Sequence, residues 1–384
     1  MNREHYTGDH LAFGEAFRAF VDKQIVPHYL EWEEDGITPR EIFLEAGRSG
    51  FLGMSVPEEY GGGGVDDFRF NQILDEQIAD AGITGSGLGL SLHNDTCLPY
   101  FLSFADADQK QRWLPGIASG ELITAVAMTE PGAGSDLAGM RTTAKRDGDH
   151  YVVNGSKTFI TNGINSDLVI TAVKTGGDAA DRRGNMSLLI VERGTPGFER
   201  GRNLAKLGLH SQDTAELSFT DVRVPVENLL GSEGDGFGQL TEKLPQERTS
   251  IAVSALAEAQ AAFKETVRYV RDRKAFGTAV GSFQNTKFVL ADLCTEIDIA
   301  QAFLDRCVDR LVAGRLDAAD AAKAKYYCTE LQGRVMDRCL QLHGGYGFMD
   351  EYPISRRYRD ARVTRIYGGT SEIMKSVISK SIGL

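Results

Sequence analysis

A glycine-rich loop, EPGAGSDLAG at 130–139, holds residues whose types and spacing could do chemistry. It follows a short apolar run that ends at Thr129. Its glycines let the backbone approach a flat or anionic group closely, and Thr129, Ser135 and Thr161 place hydroxyl groups at predicted strand ends. This combination suits a large polar cofactor lying against a sheet, although a tight β-connection would use the same residues.

A second candidate for chemistry is the carboxylate of Glu247. Proline is favoured in the first turn of a helix, so Pro245 predicts a helix that begins there, with Glu247 in its first turn. On residue type alone, an acid at that place complements the positive end of the helix dipole. A catalytic role for Glu247 therefore needs support from the rest of the chain.

Composition excludes several classes of protein. The chain has 384 residues, enough for two or three domains, and its net charge of −12 argues against nucleic acid as a partner. Its 5 cysteines are widely spaced without a CxxC pair, which argues against disulfides and a zinc site and favours a reducing compartment. No apolar run has the length of a membrane span. We predict a cytoplasmic protein without a metal site or membrane insertion.

The hydrophobic period divides the chain into three regions, which together predict an α+β fold. Residues 1–122 and 233–384 have helical spacing, and residues 123–232 alternate with a period of two. An Asn154-Gly155 hairpin turn is expected within the middle region. Its predicted strands, which would form two packed sheets or a small barrel, are Ile123–Met128, Thr142–Lys145, His150–Val153, Lys157–Ile160, Leu168–Val173, Met186–Val191 and Ala215–Val222.

The run MTEPGAGSD, followed by KTFITNG, resembles the acyl-CoA dehydrogenase family, and the resemblance covers nearly the whole chain. It implies an N-terminal α-helical domain (1–122), a middle β-sandwich or β-barrel domain (123–232) and a C-terminal four-helix-bundle domain (233–384). It also implies FAD as the cofactor and the α,β-dehydrogenation of an acyl-CoA thioester as the reaction. A base would remove a proton from Cα while a hydride leaves Cβ.

The resemblance assigns several positions to the flavin site. Thr129 is expected to bond the pyrimidine end of the flavin ring and Thr161 to bond near N5, with Phe159 and Ile160 packed on the ring. Ser135 is expected to touch the pantetheine of the substrate. The other cofactor positions implied, some of them reaching the flavin of a neighbouring subunit, are Met128, Gly134, Arg273, Phe276, Gln284, Gln341, Gly344, Gly345, Thr370 and Glu372.

The usual base of the family is missing from this chain. It is the glutamate of a Tyr-Glu-Gly-Thr run, which here reads Tyr367-Gly368-Gly369-Thr370. Long-chain and isovaleryl members carry the base on a helix of the C-terminal domain, and LPQER at 244–248 resembles that site. The resemblance thus implies Glu247 as the base, with Glu372 as the rival acid. The implied substrate-binding residues are Ser135, Glu247, Arg248, Gly368 and Gly369.

The resemblance favours a medium-to-long acyl chain, a homotetramer, and an electron-transfer flavoprotein as electron acceptor. Three alternatives stay open. The chain could be a short branched-chain (isovaleryl-type) dehydrogenase, an acyl-CoA oxidase, or an inert acyl-CoA-binding homologue that lost its base at Gly368.

Overall fold

The computed structural model describes residue 3, residues 5–176 and residues 185–384. The first part of the chain is helical, and a π-helical segment, Leu92–Cys97, joins two of its helices without a break. Aromatic and branched apolar side chains from the first five helices form one core, and those of the last two pack against the sheet. The helices are α1 (Gly8–Gln24), α2 (Tyr29–Asp35), α3 (Glu41–Arg48), α4 (Arg69–Ala81), α5 (Thr84–Ser91), α6 (Leu98–Phe104) and α7 (Ala107–Ser119).

The middle part is a single curled sheet of seven strands in the order β1-β4-β2-β3-β7-β6, with β5 paired to β4. The strands β4 and β5 pair antiparallel, and the first six residues of each strand are buried. The strands are β1 (Thr124–Ala127), β2 (Thr143–Asp147), β3 (His150–Thr161), β4 (Leu168–Lys174), β5 (Met186–Glu192), β6 (Phe198–Asn203) and β7 (Thr214–Pro225).

The predicted hairpin turn at Asn154-Gly155 is wrong. The two strands expected around it form the single strand β3, which pairs with β7 over its whole length and shifts register between Val153 and Gly155. A Cβ at Gly155 would lie 2.5 Å from the Thr142 hydroxyl oxygen, so glycine here permits close strand packing rather than a turn. The strand β6 was missed because most of its residues are polar and half-exposed or exposed.

The last part of the chain is a bundle of long helices. Alanines of α8, at spacings of three and four, pack against α9 and α10 and let the helices approach closely. A short hairpin of β8 (Lys274–Ala275) and β9 (Thr278–Ala279) separates α8 from α9. The helices are α8 (Gly236–Asp272), α9 (Gln284–Val312), α10 (Ala318–His343), α11 (Pro353–Ala361) and α12 (Ser371–Ser381).

The predicted start of a helix at Pro245 is also wrong, because α8 begins at Gly236 and contains Pro245 in its interior. Proline cannot donate a backbone hydrogen bond to the preceding turn. Two threonine hydroxyls bind carbonyl groups around it, from Thr241 to Phe237 and from Thr249 to Pro245. Glu247 consequently lies inside the helix, away from the positive end of its dipole.

Among the described residues, no helix is long and apolar enough to cross a membrane. The same residues contain no group of three or more histidine, cysteine, aspartate or glutamate side chains arranged to hold a metal ion.

Candidate active site

A buried ion pair anchors the glycine-rich loop. The Glu130 carboxylate accepts hydrogen bonds from the backbone N–H of Arg141 at 2.6 Å and of Thr142 at 3.0 Å. Lys157 of β3, whose side chain is fully buried, donates to Glu130 at 2.9 Å and to the Met128 carbonyl at 3.2 Å. Both ends of the loop are therefore tied to β3, with Gly134 and Ser135 exposed between them.

The charges of this pair depend on each other. Burial alone would raise the pKa of Glu130, but the hydrogen bond from Thr142 and the charge of Lys157 outweigh it and lower that pKa. Burial lowers the pKa of Lys157 to about 8, against the opposing charge of Glu130. Removing either partner would leave a buried charge without compensation.

The ends of β1 and β3 bring five of the predicted cofactor residues together. The backbone N–H of Thr158 donates to the Thr129 carbonyl at 2.9 Å, which joins the residues after β1 to β3. Phe159 has a left-handed backbone with φ of 60° and is 68% exposed, whereas Ile160 is buried. An exposed aromatic ring beside threonine hydroxyls fits the face of a flat cofactor. The five residues are Met128, Thr129, Phe159, Ile160 and Thr161.

A second group of predicted cofactor residues lines one groove on the helical bundle. Arg273, Gln341, Gly344 and Gly345 share a groove of about 540 Å³ at the end of α10. Gly344 has φ of 60°, and a Cβ there would meet no atom within 4 Å, so the backbone is open to a ligand. The Arg273 guanidinium lies 5.0 Å from the centre of the Tyr346 ring. A diphosphate would find a forked cation and accessible backbone here.

Phe276 and Gln284 lie outside this groove. Phe276 follows β8 and has φ of 52° with 98% of its surface exposed. Gln284 is exposed at the start of α9.

Glu247 has the properties of a proton acceptor. Its carboxylate is buried and accepts a hydrogen bond from the Tyr100 hydroxyl at 2.8 Å. Burial raises the pKa of Glu247 to about 7, while the Tyr100 hydrogen bond and the Arg248 charge oppose that rise. A base with a pKa near neutrality is well matched to proton transfer at physiological pH.

The Tyr367–Thr370 loop packs on the turn of α8 that carries Glu247. A Cβ at Gly369 would lie 3.9 Å from Arg248 Nη2, and a Cβ at Gly368 would overlap Ile251. Both glycines have positive φ angles, 63° and 96°. The space that a side chain at position 368 would enter is thus occupied by a residue one turn beyond Glu247.

Two buried cations adjoin this loop. The Lys325 amine donates to the Gly369 carbonyl at 2.7 Å, and burial together with the Arg248 charge lowers its pKa to about 8. Arg248 is buried, and its Nε has no hydrogen-bond partner among the described residues. The pair gives the loop a positive environment, suited to an anionic or polarised ligand.

Glu372, the rival acid, lies in a different environment. The Thr370 hydroxyl caps α12 by accepting from the Ile373 backbone N–H at 3.4 Å, and Glu372 is exposed in the first turn. Hydrogen bonds from its own backbone N–H and from Thr370 lower the pKa of Glu372. A solvated carboxylate with a lowered pKa is a weaker base than Glu247.

Sequence reasoning missed four residues that shape this site: Tyr100, Lys157, Ile251 and Lys325. Lys157 carries a weak signal, since a lysine among apolar residues of a strand predicts a buried pair. The contacts of the other three join segments that are distant in sequence, and no local pattern could reveal them.

Models of one family match the chain in three consecutive segments. Residues 7–121 match the acyl-CoA dehydrogenase N-terminal domain, residues 125–222 the middle domain, and residues 234–383 the C-terminal domain. The chain is 46% identical over 380 residues to the mitochondrial long-chain specific acyl-CoA dehydrogenase of Sus scrofa, covering 99% of this chain and 88% of that protein.

Solved structures agree with the family models. The acyl-CoA dehydrogenase of Geobacillus kaustophilus superposes with a TM-score of 0.97 at 48% identity, with all of both chains covered. A glutaryl-CoA dehydrogenase of Mycobacterium smegmatis, solved in complex with FADH2, has a TM-score of 0.91 at 27% identity over 99% of this chain and 95% of that one.

Lys157→Met is expected to lower the free energy of unfolding by about 3–5 kcal/mol, because Glu130 would remain as an unpaired buried charge. Urea unfolding would measure the change. Lys157→Met combined with Glu130→Gln should recover part of the loss, since it removes both charges.

Lys264→Met is the matched control, because Lys264 pairs with Asp80 at 3.3 Å on the surface. Exposed pairs contribute about 0–1 kcal/mol. Equal effects of the two lysine substitutions would contradict the anchoring role of Lys157.

Proposed function

The chain belongs to the acyl-CoA dehydrogenase family, and from that premise we propose that Glu247 is the base of its reaction on a saturated acyl-CoA. Glu247 takes a proton from Cα of the thioester, and a hydride with its electron pair leaves Cβ, so that a trans-2-enoyl-CoA forms. The single observation that carries this proposal is the buried Glu247 carboxyl, with a pKa of about 7, beside a loop that has no acid.

The family is FAD-dependent, and FAD, when bound, supplies the acceptor for the hydride. The residues present fit such a group. Thr129, Phe159 and Thr161 would hold the flavin ring, and Arg273 with Gly344 would hold the diphosphate of another subunit's cofactor. Ser135, exposed on the anchored loop, would contact the pantetheine, and Arg248 with the Gly368-Gly369 backbone would face the thioester end of the substrate.

We propose that a medium-to-long acyl chain lies between α5 and α8, on a path that we call the acyl channel. From Glu247 to Ala259, α8 is buried except at Ile251 and Ser254, which lie on the same face as Glu247. From Thr84 to Leu98, the residues that are not buried recur at every fourth position: Thr84, Leu88, Leu92 and Thr96. Thr84 and Leu88 line one small cavity, of about 10 Å³, with Ser254, Glu258 and Tyr367, so the two rows of residues face each other at this point.

The length of this channel follows from helix geometry. The rise from Glu247 to Ser254 is about 10 Å, and to Glu258 about 16 Å. An extended chain advances about 1.2 Å per bond, so these distances correspond to about 8 and about 14 bonds beyond Cα. The buried Glu258–Arg357 ion pair, at 2.6 Å, closes the far end. The long-chain name of the Sus scrofa relative agrees with this range.

We also propose a homotetramer in the cytoplasm, with an electron-transfer flavoprotein as electron acceptor. The exposed rings of Phe276 and Phe283, whose centres lie 6.3 Å apart, support an assembly, since contiguous exposed apolar surface marks an interaction site. Residues that would hold a diphosphate lie on the helical bundle, while those that would hold the flavin ring lie on the sheet. A second copy of the chain would bring the two together.

Glu247→Gln should keep flavin and acyl-CoA binding but slow flavin reduction by about 10²–10⁴-fold, because an amide cannot accept the proton. In the wild type, kcat/KM should fall about tenfold per pH unit below pH 7, since burial raises the Glu247 pKa to about 7 and its protonated form is inactive. Loss of the flavin absorbance band during anaerobic mixing with a saturated acyl-CoA would measure both.

The control is Glu372→Gln, which should retain the wild-type rate. If Glu247→Gln still reduces its flavin fast while Glu372→Gln reduces its flavin slowly, then Glu372 and not Glu247 is the base. A wild-type flavin band unchanged by straight and branched acyl-CoAs would indicate an inert binding protein. Peroxide formed at each turnover in air would indicate an oxidase.

Ser254→Leu should lower kcat/KM for acyl chains of about 16 carbons by at least tenfold and leave chains of about 6 carbons within threefold, because leucine would fill the channel about 10 Å from Glu247. Turnover with acyl-CoAs of increasing length would test this. Ser254→Ala, which removes the hydroxyl without filling space, is the control. A uniform loss at all lengths would contradict the channel, and a wild-type preference for short branched chains would favour the isovaleryl-type alternative.

Phe276→Asp should lower the number of subunits in the assembly below four and lower its flavin content, because a charge would be buried at the proposed interface between subunits. Light scattering and the ratio of flavin to protein absorbance measure both. Leu11→Asp, at an exposed position on α1, is the control. A wild-type monomer with full flavin content would contradict the proposed assembly.

A further inference from the structure

We infer that Tyr100 is a positioning residue for Glu247: it holds one carboxylate oxygen so that the other is presented to the substrate proton. The motifs that carry the resemblance do not include Tyr100. The inference rests on the proposed function of Glu247 and extends it to the helices that come before the sheet.

The contact itself leaves little freedom to either side chain. Tyr100 lies on α6 with none of its surface exposed, packed in a core with Phe101 and Trp113. Its hydroxyl donates to Glu247 Oε1 at 2.8 Å. Among the described residues no other side chain or backbone group donates to this carboxylate. With Oε1 held, the lone pairs of Oε2 are directed away from Tyr100.

A buried network fixes the distance between the helices that carry the two residues. Asp95 lies in the π-helical segment just before α6, and its carboxylate accepts from the Ser250 hydroxyl at 2.6 Å. Its backbone carbonyl accepts from the Gln246 side chain at 2.9 Å. Gln246 and Ser250 lie on either side of Glu247 along α8. The π-helical segment therefore binds α8 on both sides of the base, and such segments are frequent at functional sites.

The charged and titratable groups around Glu247 come from four elements: α4, the π-helical segment, α6 and α8. Arg248 of α8 opposes the rise of the Glu247 pKa, and Cys97, at the end of the π-helical segment, faces the carboxylate with a thiol that burial keeps protonated. Farther away, burial and the charge of Asp95 raise the pKa of Asp75 on α4, and burial raises that of Asp95 to about 6. Tyr100 is the group among these that touches the carboxylate directly.

Loss of the hydroxyl has two distinct consequences. A hydrogen bond to a carboxylate favours its ionised form, so removing the bond raises the pKa of Glu247. The freed carboxylate also samples rotamers that do not face the substrate. Tyr100→Phe keeps the ring and its packing, and removes this hydrogen bond alone.

The test is the pH dependence of flavin reduction in the holoenzyme. For Tyr100→Phe, the acid limb of the curve of reduction rate against pH should move to higher pH by about 1 to 2 units, as expected for the loss of a hydrogen bond to a charged group. The rate on the plateau of the same curve should fall about tenfold. The matched control is Tyr151→Phe. Tyr151 is another buried tyrosine, whose hydroxyl donates to Glu233 at 2.8 Å in the sheet region, and its removal should leave the limb unchanged.

A double-mutant cycle on thermal unfolding gives a second measurement that does not depend on turnover. Tyr100→Phe and Glu247→Gln should each change stability, and the double variant should show a non-additive effect of the kind seen for groups in contact. Tyr151→Phe combined with Glu247→Gln should be additive.

The outcomes separate this inference from the proposed base. If Glu247→Gln reduces flavin at the wild-type rate, the assignment of the base fails, whatever Tyr100 does. If Glu247→Gln is inactive while Tyr100→Phe keeps the wild-type limb and the stability cycle is additive, Glu247 remains the base and the positioning role of Tyr100 is overturned. A Tyr100→Phe protein with normal flavin content and a shifted limb supports the inference.

Discussion

The burial of one carboxyl group, that of Glu247, sets the conditions for the rest of the site. Taking a carboxylate out of water raises its pKa, and the Tyr100 hydroxyl and the charge of Arg248 limit that rise. Too little burial would leave a solvated acid such as Glu372, and burial without a donor would leave a carboxyl that stays protonated at neutral pH. Alanine-rich packing of α8, the π-helical segment and the Gly368-Gly369 loop all contribute to this intermediate environment.

The glycines at 368 and 369 and the acid at 247 form one arrangement. The loop runs in the left-handed region, where glycine has no steric cost, and it lies against Ile251 and Arg248. The Lys325 amine donates to its backbone at the Gly369 carbonyl. A loop without side chains thus lets α8 provide both the acid and the apolar residues that continue toward Ser254. In the proposed function, Glu247 would then face the reacting carbon, and Ile251 and Ser254 on the same face of α8 would face the acyl chain.

The sequence predicted the α+β plan because long stretches with one hydrophobic period indicate helices or strands directly. The family models confirm the predicted family. Local signals failed where tertiary contacts decide. Asn154-Gly155 lies in mid-strand because β7 pairs with both flanks. Pro245 lies in the interior of α8, where the hydroxyls of Thr241 and Thr249 bind nearby carbonyls. Of the candidate site, the sequence indicated Glu247 and the glycine-rich loop. It could not indicate Tyr100, whose hydroxyl meets α8 across 147 positions of sequence.

The hydrogen bond between Tyr100 and Glu247 also makes the proposed proton transfer depend on the completion of folding. Tyr100 belongs to helices made early in synthesis, and Glu247 to a helix made after the whole sheet has emerged from the ribosome. Domains fold in order during synthesis, so the two groups meet only when the first and last helical regions have docked. A nascent or partly unfolded chain therefore carries an ordinary solvated acid at 247. Under the proposed role of Glu247, such a chain has no base with a pKa near neutrality.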